Sequence, residues 1–285
     1  MKVLVTGHGG FIGRHITAAC RSRGWDVAGC DLRFGDDCRD LFAEDDTRYD
    51  LVFHCAAIVG GRAKIDGDPL AIATNMSLDV EAFRWALRTG VGRFVYWSSS
   101  AVYPVSLQHP GALPLLDGSP APCDPDQTYG WAKLTGERIA DEARRRGLTV
   151  DIYRPFSGYG EDQDLDYPFP SFIARAKGGV RPFEIWGDGT QVRDWIHVDD
   201  IVATVFAGLD NTGQVDRLNL CTGRATSFNE LAHLCMEAAS GRSWPIHRLT
   251  DAPTGVHTRV GDPQRMLQLH TPQVSLEEGI ARCFR

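Results

Sequence analysis

The stretch DQTYGWAKLTGE, residues 126–137, sets Tyr129 four positions before Lys133. In a helix that spacing puts a phenol and an ammonium one turn apart on one face. A free phenol titrates near 10, too high for a base at neutral pH. A fixed positive charge beside it stabilises the phenolate and lowers that value. Such a pair could take a proton from a substrate hydroxyl. The pentapeptide alone also describes an ordinary surface helix with a lysine stem lying along a ring, so the rest of the chain must decide.

A second group of residues speaks for a dinucleotide. VTGHGGFIG (residues 5–13) places Gly7, Gly10 and Gly13 between an apolar run and a helical pattern, with Phe11 and Ile12 inside the turn. The first glycine permits a tight turn, the second a close backbone approach to a pyrophosphate, and the third helix-on-strand packing. The helix start then offers free N–H groups to phosphate. Asp31 ends the next apolar run, close to the offset of about 20 residues expected for a ribose-binding acid. A carboxylate there accepts from both ribose hydroxyls and repels a 2′-phosphate, which favours NAD; Arg33 nearby argues for NADP. Asp31 could also be a plain strand-end turn residue.

The elements that must carry these groups alternate. KVLVT (2–6), DVAGCD (26–31), DLVFHCAA (50–57), RFVYWSSS (93–100) and LTVDIYRP (148–155) read as strands. Helical patterns lie between them: residues 11–24 closing on Gly24, about 69–88, and 129 to about 146. Strand–helix alternation with continuous apolar strands implies a parallel sheet covered on both faces. Beyond Pro155 the pattern loosens through GYGEDQDLDYPFPSF, then gives a strand near FEIW and helices near 199–209, 227–239 and 275–283. The expected fold is α/β: a Rossmann-type doubly wound parallel sheet with a smaller mixed α/β substrate-binding lobe. The NAD-binding part is residues 1–155, with a return around 193–221; residues 156–192 and 222–285 form the smaller lobe.

Composition removes other classes. A net charge of −7 gives no reason to expect nucleic acid. No apolar run reaches membrane-spanning length, and the N-terminal apolar run breaks into glycines too soon for a signal peptide. The eight cysteines form no CxxC or zinc spacing and sit mostly in apolar runs, as in a reducing, cytoplasmic compartment. The nine histidines show no HExxH pattern, so no metal is expected.

With SSSAVYP (98–104) ending the fourth strand ahead of the Tyr129 helix, nearly the whole chain resembles the extended short-chain dehydrogenase/reductase superfamily, in its nucleotide-sugar epimerase and dehydratase branch. The resemblance implies a catalytic set of Ser99, Tyr129 and Lys133, with Ser99 and Ser100 also touching substrate. Tyr129 would be the base, Lys133 would also hold the nicotinamide ribose, and Ser99 would orient the reacting oxygen. CRDL (38–41) puts Asp40 and Leu41 where the branch contacts adenine. HCAA (54–57) resembles its cofactor-lining HxAA segment, giving Ala56 and Ala57, and Asn75 matches its long-helix asparagine. YRPFSGYG (153–160) resembles RPxNxYG, adding Tyr153 and Pro155 to the cofactor set. GDGTQVRDWIHVDDIV (187–202) and RVGDPQRML (259–267) resemble the segments whose arginines, here Arg193 and Arg259, clamp the substrate diphosphate. His197, Asp199 and Asp200 read as structural. Relatives commonly form homodimers through the two long helices.

Departures narrow the reaction. The Asp-Glu pair of the 4,6-dehydratases is replaced by Ser100 and Ala101, and the decarboxylases' nearby glutamate is missing. Ala101 also stands where the 3,5-epimerases and fucose synthases carry a cysteine, although FEIWGDG, SSSAVYP and PIH resemble the 3,5-epimerases. C4 epimerisation of a nucleotide-diphosphate sugar, through a 4-keto intermediate with NAD staying bound, is the simplest chemistry left. A nucleotide-sugar 4-ketoreductase or dehydrogenase, another epimerase of the 3,5 type, and a catalytically inactive dinucleotide-sensing protein on the same fold are the alternatives.

Overall fold

A computed structural model describes residues 1–60, 67–118, 121–211 and 213–285. The first half alternates as the apolar runs require. It contains β1 (Lys2–Thr6), α1 (Phe11–Ser22), β2 (Asp26–Cys30), α2 (Cys38–Glu44), β3 (Leu51–His54), α3 (Pro69–Thr89), β4 (Arg93–Trp97), α4 (Gln127–Arg145) and β5 (Thr149–Pro155). Local chemistry sets the helix ends. Asp68 caps α3 by accepting from Ala71 N, Pro69 follows at the first helical position, and Gly90 ends it in the left-handed region. The second half supplies β6 (Ser157–Tyr159), α5 (Pro168–Lys177), β7 (Phe183–Trp186), β8 (Val192–Arg193), β9 (Trp195–His197), α6 (Val198–Asn211) and β10 (Leu218–Leu220). After these come β11 (Thr226–Ser227), α7 (Phe228–Ser240), β12 (Ile246–Leu249), β13 (Thr258–Arg259), α8 (Gln264–Leu267) and α9 (Leu276–Arg282).

Six strands form one parallel sheet in the order β2-β1-β3-β4-β5-β10. On one face Phe83 and Trp85 of α3 and Ala140 of α4 pack on Val52, Phe94 and Ile152. On the other, Ile16 of α1 and Ile201 and Phe206 of α6 pack on Val5, Phe53 and Val95. With both faces covered, β3 and β4 are buried almost throughout, which is why their sequences lack alternation. A separate apolar cluster joins Phe169 and Phe172 of α5, Phe183 of β7, Trp195 of β9 and Leu231 of α7.

Two strands end earlier than their apolar runs suggest. The ladders stop at His54 and Trp97, and residues 55–57 and 98–100 leave the sheet at its carboxyl edge. The chain runs from β1 outward to β2, then crosses back to β3 on β1's other side. That reversal opens a crevice above the carboxyl ends of β1 and β3.

Candidate active site

A cavity of about 850 Å³ occupies this crevice. Gly7, Gly10, Phe11, Ile12 and Gly13 line its floor. Gly7 has φ +66°, and a Cβ there would stand 2.6 Å from Ala56 N on the neighbouring strand's exit. The turn therefore lies flat against β3 only because it is glycine. Gly10 precedes α1 in extended geometry and no side chain caps the helix, so the first amides are left for a ligand. Such a helix start suits a pyrophosphate. Asp31 is 7% exposed, and its two carboxylate oxygens accept from Gly9 N and Arg33 N, each at 2.8 Å. Those bonds fix the carboxylate's orientation at the cavity wall. The uncapped helix start, the cradle a Cβ would fill and the oriented acid together fit a bound dinucleotide.

Ser99, Ser100, Ala101, Tyr129 and Lys133 line another wall of the same cavity. Ser99 Oγ accepts from Ala101 N at 3.1 Å. Lys133 is 3% exposed, with Nζ 5.2 Å from the centre of the Tyr96 ring, a contact that suits an ammonium. Tyr96 in turn donates to Asp79 Oδ2 at 2.6 Å. Burial, reinforced by the Asp79 charge, pushes the Tyr96 phenol well above its ordinary value, so it keeps its proton. Gly136 makes this approach possible, because a side chain there would collide with the Tyr96 hydroxyl.

Beneath this wall lies a buried ionic cluster. Glu137, one turn after Lys133, accepts from Ser98 Oγ (2.6 Å), Arg154 Nε (2.7 Å), Arg154 Nη2 (2.6 Å) and Arg217 Nε (3.1 Å). It binds α4 to the exits of β4 and β5. Arg259 Nη2 donates to Asp126 Oδ2 at 2.8 Å, tying β13 to the residue before α4. Tyr129 therefore sits on a helix clamped at both its start and its middle.

Ala56, Ala57, Pro155, Arg193 and Arg259 also line the cavity. Arg193 donates to the carbonyls of Val192 (2.8 Å) and His257 (3.2 Å), and Arg259 Nε donates to Gln108 Oε1 (2.6 Å), so both arginines also brace the wall they stand in. Four expected cofactor residues lie elsewhere. Asn75 is fully buried and closes a two-way bond with Ile58, accepting from N (2.7 Å) and donating to O (2.8 Å). It shapes the segment after β3 instead of lining the cavity. Asp40 is exposed and Leu41 packs on the core. Asp37 caps α2, so the residues at its start, Asp37, Cys38 and Arg39, face the cavity instead. Tyr153 sits two residues before Pro155 on the same face of β5, under the sheet edge, with its ring 6.0 Å from Trp97. His197 and Asp200 hold protein: His197 Nε2 meets Glu161 at 3.2 Å, and Asp200 accepts from Gln273 N and Val274 N. Asp199 pairs with Arg282.

Sequence spacing gave no hint of Tyr167, Phe172, Arg175, Trp186, Trp195 and Phe228, which line the cavity beyond the serine wall. The aromatic richness of the stretch after Pro155 is the one trace of them. Among the described residues no group of His, Cys, Asp and Glu is placed to hold a metal ion. No described helix is long and apolar enough to cross a membrane.

Residues 3–221 match the family model described as the NAD dependent epimerase/dehydratase family. The chain is 31% identical to a dTDP-4-dehydro-6-deoxy-D-allose reductase from Streptomyces bikiniensis, over 99% of this chain and 96% of the relative. It is 26% identical to GDP-mannose 3,5-epimerase 1 from Oryza sativa subsp. indica, over 98% of this chain and 80% of that protein. Its fold superposes on the UDP-glucose 4-epimerase of Thermotoga maritima, solved with UDP-glucose, with a TM-score of 0.86 and 25% identity, covering 100% of this chain and 99% of that one.

Proposed function

The chain belongs to the NAD dependent epimerase/dehydratase family, and from that premise we propose that it is a nucleotide-sugar 4-epimerase. The observation that carries this reading is the Ser99–Ser100–Ala101 wall facing the cavity alongside Tyr129 and Lys133. It brings two hydroxyls and a methyl, and no carboxyl or thiol. Proton transfer at one hydroxyl is provided for, and these three positions add no group for deprotonation at a neighbouring carbon.

Bound NAD supplies the hydride acceptor for oxidation at C4 and the donor for its reversal. Lys133, held over the Tyr96 ring, stands one helical turn from Tyr129, where an ammonium stabilises negative charge that develops on the phenol oxygen during proton transfer. Tyr129 Oη takes the proton of the C4 hydroxyl as that carbon becomes a ketone. It returns the proton to the same oxygen when C4 is reduced from the opposite face. The Ser99 hydroxyl donates to the reacting oxygen and holds it in line. Arg193 and Arg259 suit diphosphate oxygens, and the rings of Phe172, Trp186 and Phe228 suit a nucleoside. Between the half-reactions the 4-keto sugar must turn over while the nucleotide stays anchored. The reading extends to a cytoplasmic homodimer, with the outer faces of α3 and α4 as the contact and the free cysteines as the sign of a reducing compartment.

The test is a screen of UDP-, GDP-, dTDP- and CDP-sugars in deuterated water with products resolved by NMR. A C4 epimer with no deuterium on carbon and no net change in nicotinamide absorbance is expected. Deuterium at C3 or C5 would overturn the assignment. A second reading, 4-ketoreductase, is favoured by the 31% identity with the allose reductase. It calls for stoichiometric consumption of reduced nicotinamide with a 4-keto sugar as substrate.

A further inference from the structure

NAD and NADP differ by one phosphate on the adenosine ribose. An acid at the end of the second strand accepts the ribose hydroxyls, and an arginine close by is the group that receives the extra phosphate. This chain has both, Asp31 and Arg33, on one cavity wall. Read from the strand alone, they pull in opposite directions.

We propose that Asp164, in the segment between β6 and α5, is a second determinant of NAD over NADP, acting by withholding Arg33 from a 2′-phosphate. Arg33 Nη2 donates to Asp164 Oδ2 at 2.8 Å, and Arg33 Nη1 donates to Gly9 O at 3.0 Å. The guanidinium fork is thus turned onto the protein. Asp164 lines the cavity as well, so a phosphate approaching Arg33 meets two carboxylates, Asp31 and Asp164, beside a guanidinium already paired; the other cation of this wall, Arg39, is paired with Asp37. The segment does not depend on this contact for its position. Asp162 pairs with Arg14 (2.5 Å) and His15 (3.0 Å) on α1, and Gln163 Nε2 donates to Gly158 O at 3.0 Å. Removing the Asp164 charge should therefore free Arg33 while leaving the segment where it is. The Arg33 and Asp164 side chains are 52% and 48% exposed, so solvent limits the effect.

The inference rests on dinucleotide binding and not on C4 epimerisation, so its test reads binding alone. NAD⁺ and NADP⁺ are titrated by calorimetry into the full-length chain stripped of cofactor, at fixed low ionic strength. Asp164→Asn should raise NADP⁺ affinity about threefold to fivefold, the scale of a half-exposed charge pair, and leave NAD⁺ affinity near the parent's. Adding Arg33→Met to Asp164→Asn should erase the gain. Three results would each overturn the proposal: unchanged NADP⁺ affinity in Asp164→Asn, an equal change for both dinucleotides (a contact that merely ties down the segment), or a gain that survives the loss of Arg33.

Discussion

Glu137→Gln isolates the ionic cluster under the catalytic wall. Glu137 is 1% exposed and Arg154 is fully buried. Each Glu137 oxygen accepts two bonds: Oε1 from Ser98 Oγ and Arg154 Nε, Oε2 from Arg154 Nη2 and Arg217 Nε. An amide can accept only at its oxygen, so its NH2 group would face a guanidinium donor in either orientation, Arg154 Nε at the Oε1 position or Arg154 Nη2 and Arg217 Nε at the Oε2 position. Arg217 keeps Asp141 at 2.5 Å as a partner. Among the described residues Arg154 keeps neutral acceptors, Tyr103 Oη at 3.0 Å and Gly118 O at 2.6 Å. The loss therefore falls on a buried charge left without its counter-ion, a defect of about 3–5 kcal/mol. Against a typical folding stability of about 5–15 kcal/mol that is a large share. In urea unfolding, with an m-value of about 3 kcal/mol/M, the midpoint should fall by roughly 1 M or more with the slope unchanged. Glu137→Leu combined with Arg154→Met should recover most of the loss, because the apolar pair removes the Arg154 charge left unpaired and Arg217 keeps Asp141. A Glu137→Gln midpoint close to the parent's would refute the claim that this pair is dry and coupled.

Other substitutions test the cavity and its chemistry. Tyr129→Phe should lower kcat by about 10²–10⁴ while NAD affinity is kept, measured by steady-state kinetics and calorimetry; near-parent turnover would remove Tyr129 from the mechanism. Gly7→Ala places a Cβ 2.6 Å from Ala56 N at φ +66°, and should abolish NAD binding in the same titration. Cys55 lines the cavity, but burial pushes its thiol up to about 12, and Cys20 likewise to about 12, whereas Cys123 is exposed. Titration with a thiol reagent near neutral pH should thus show one fast thiol, lost in Cys123→Ser; fast labelling of Cys55 would contradict the raised thiol.

The amino-acid sequence by itself determined whatever is encoded over short chain distances. Strand–helix alternation, the glycine turn with its uncapped helix, Asp31 at a strand end, and a phenol one turn from an ammonium all depend on backbone geometry within a few residues. Continuous apolar strands also announced a sheet covered on both faces. Tertiary structure decided where side chains at those addresses actually point. Tyr153 shares a face with Pro155 but packs under the sheet because it lies two positions short of the edge. Asn75 spends its amide on Ile58, and the cap at Asp37 turns Cys38 and Arg39, not Asp40 and Leu41, toward the cavity. The pairings of Glu137 with Arg217, of Arg259 with Asp126 and of Arg33 with Asp164 join residues 80, 133 and 131 positions apart. No periodicity records such contacts, because they form only when separate elements pack; packing alone sets the Asp164 carboxylate on the Arg33 guanidinium.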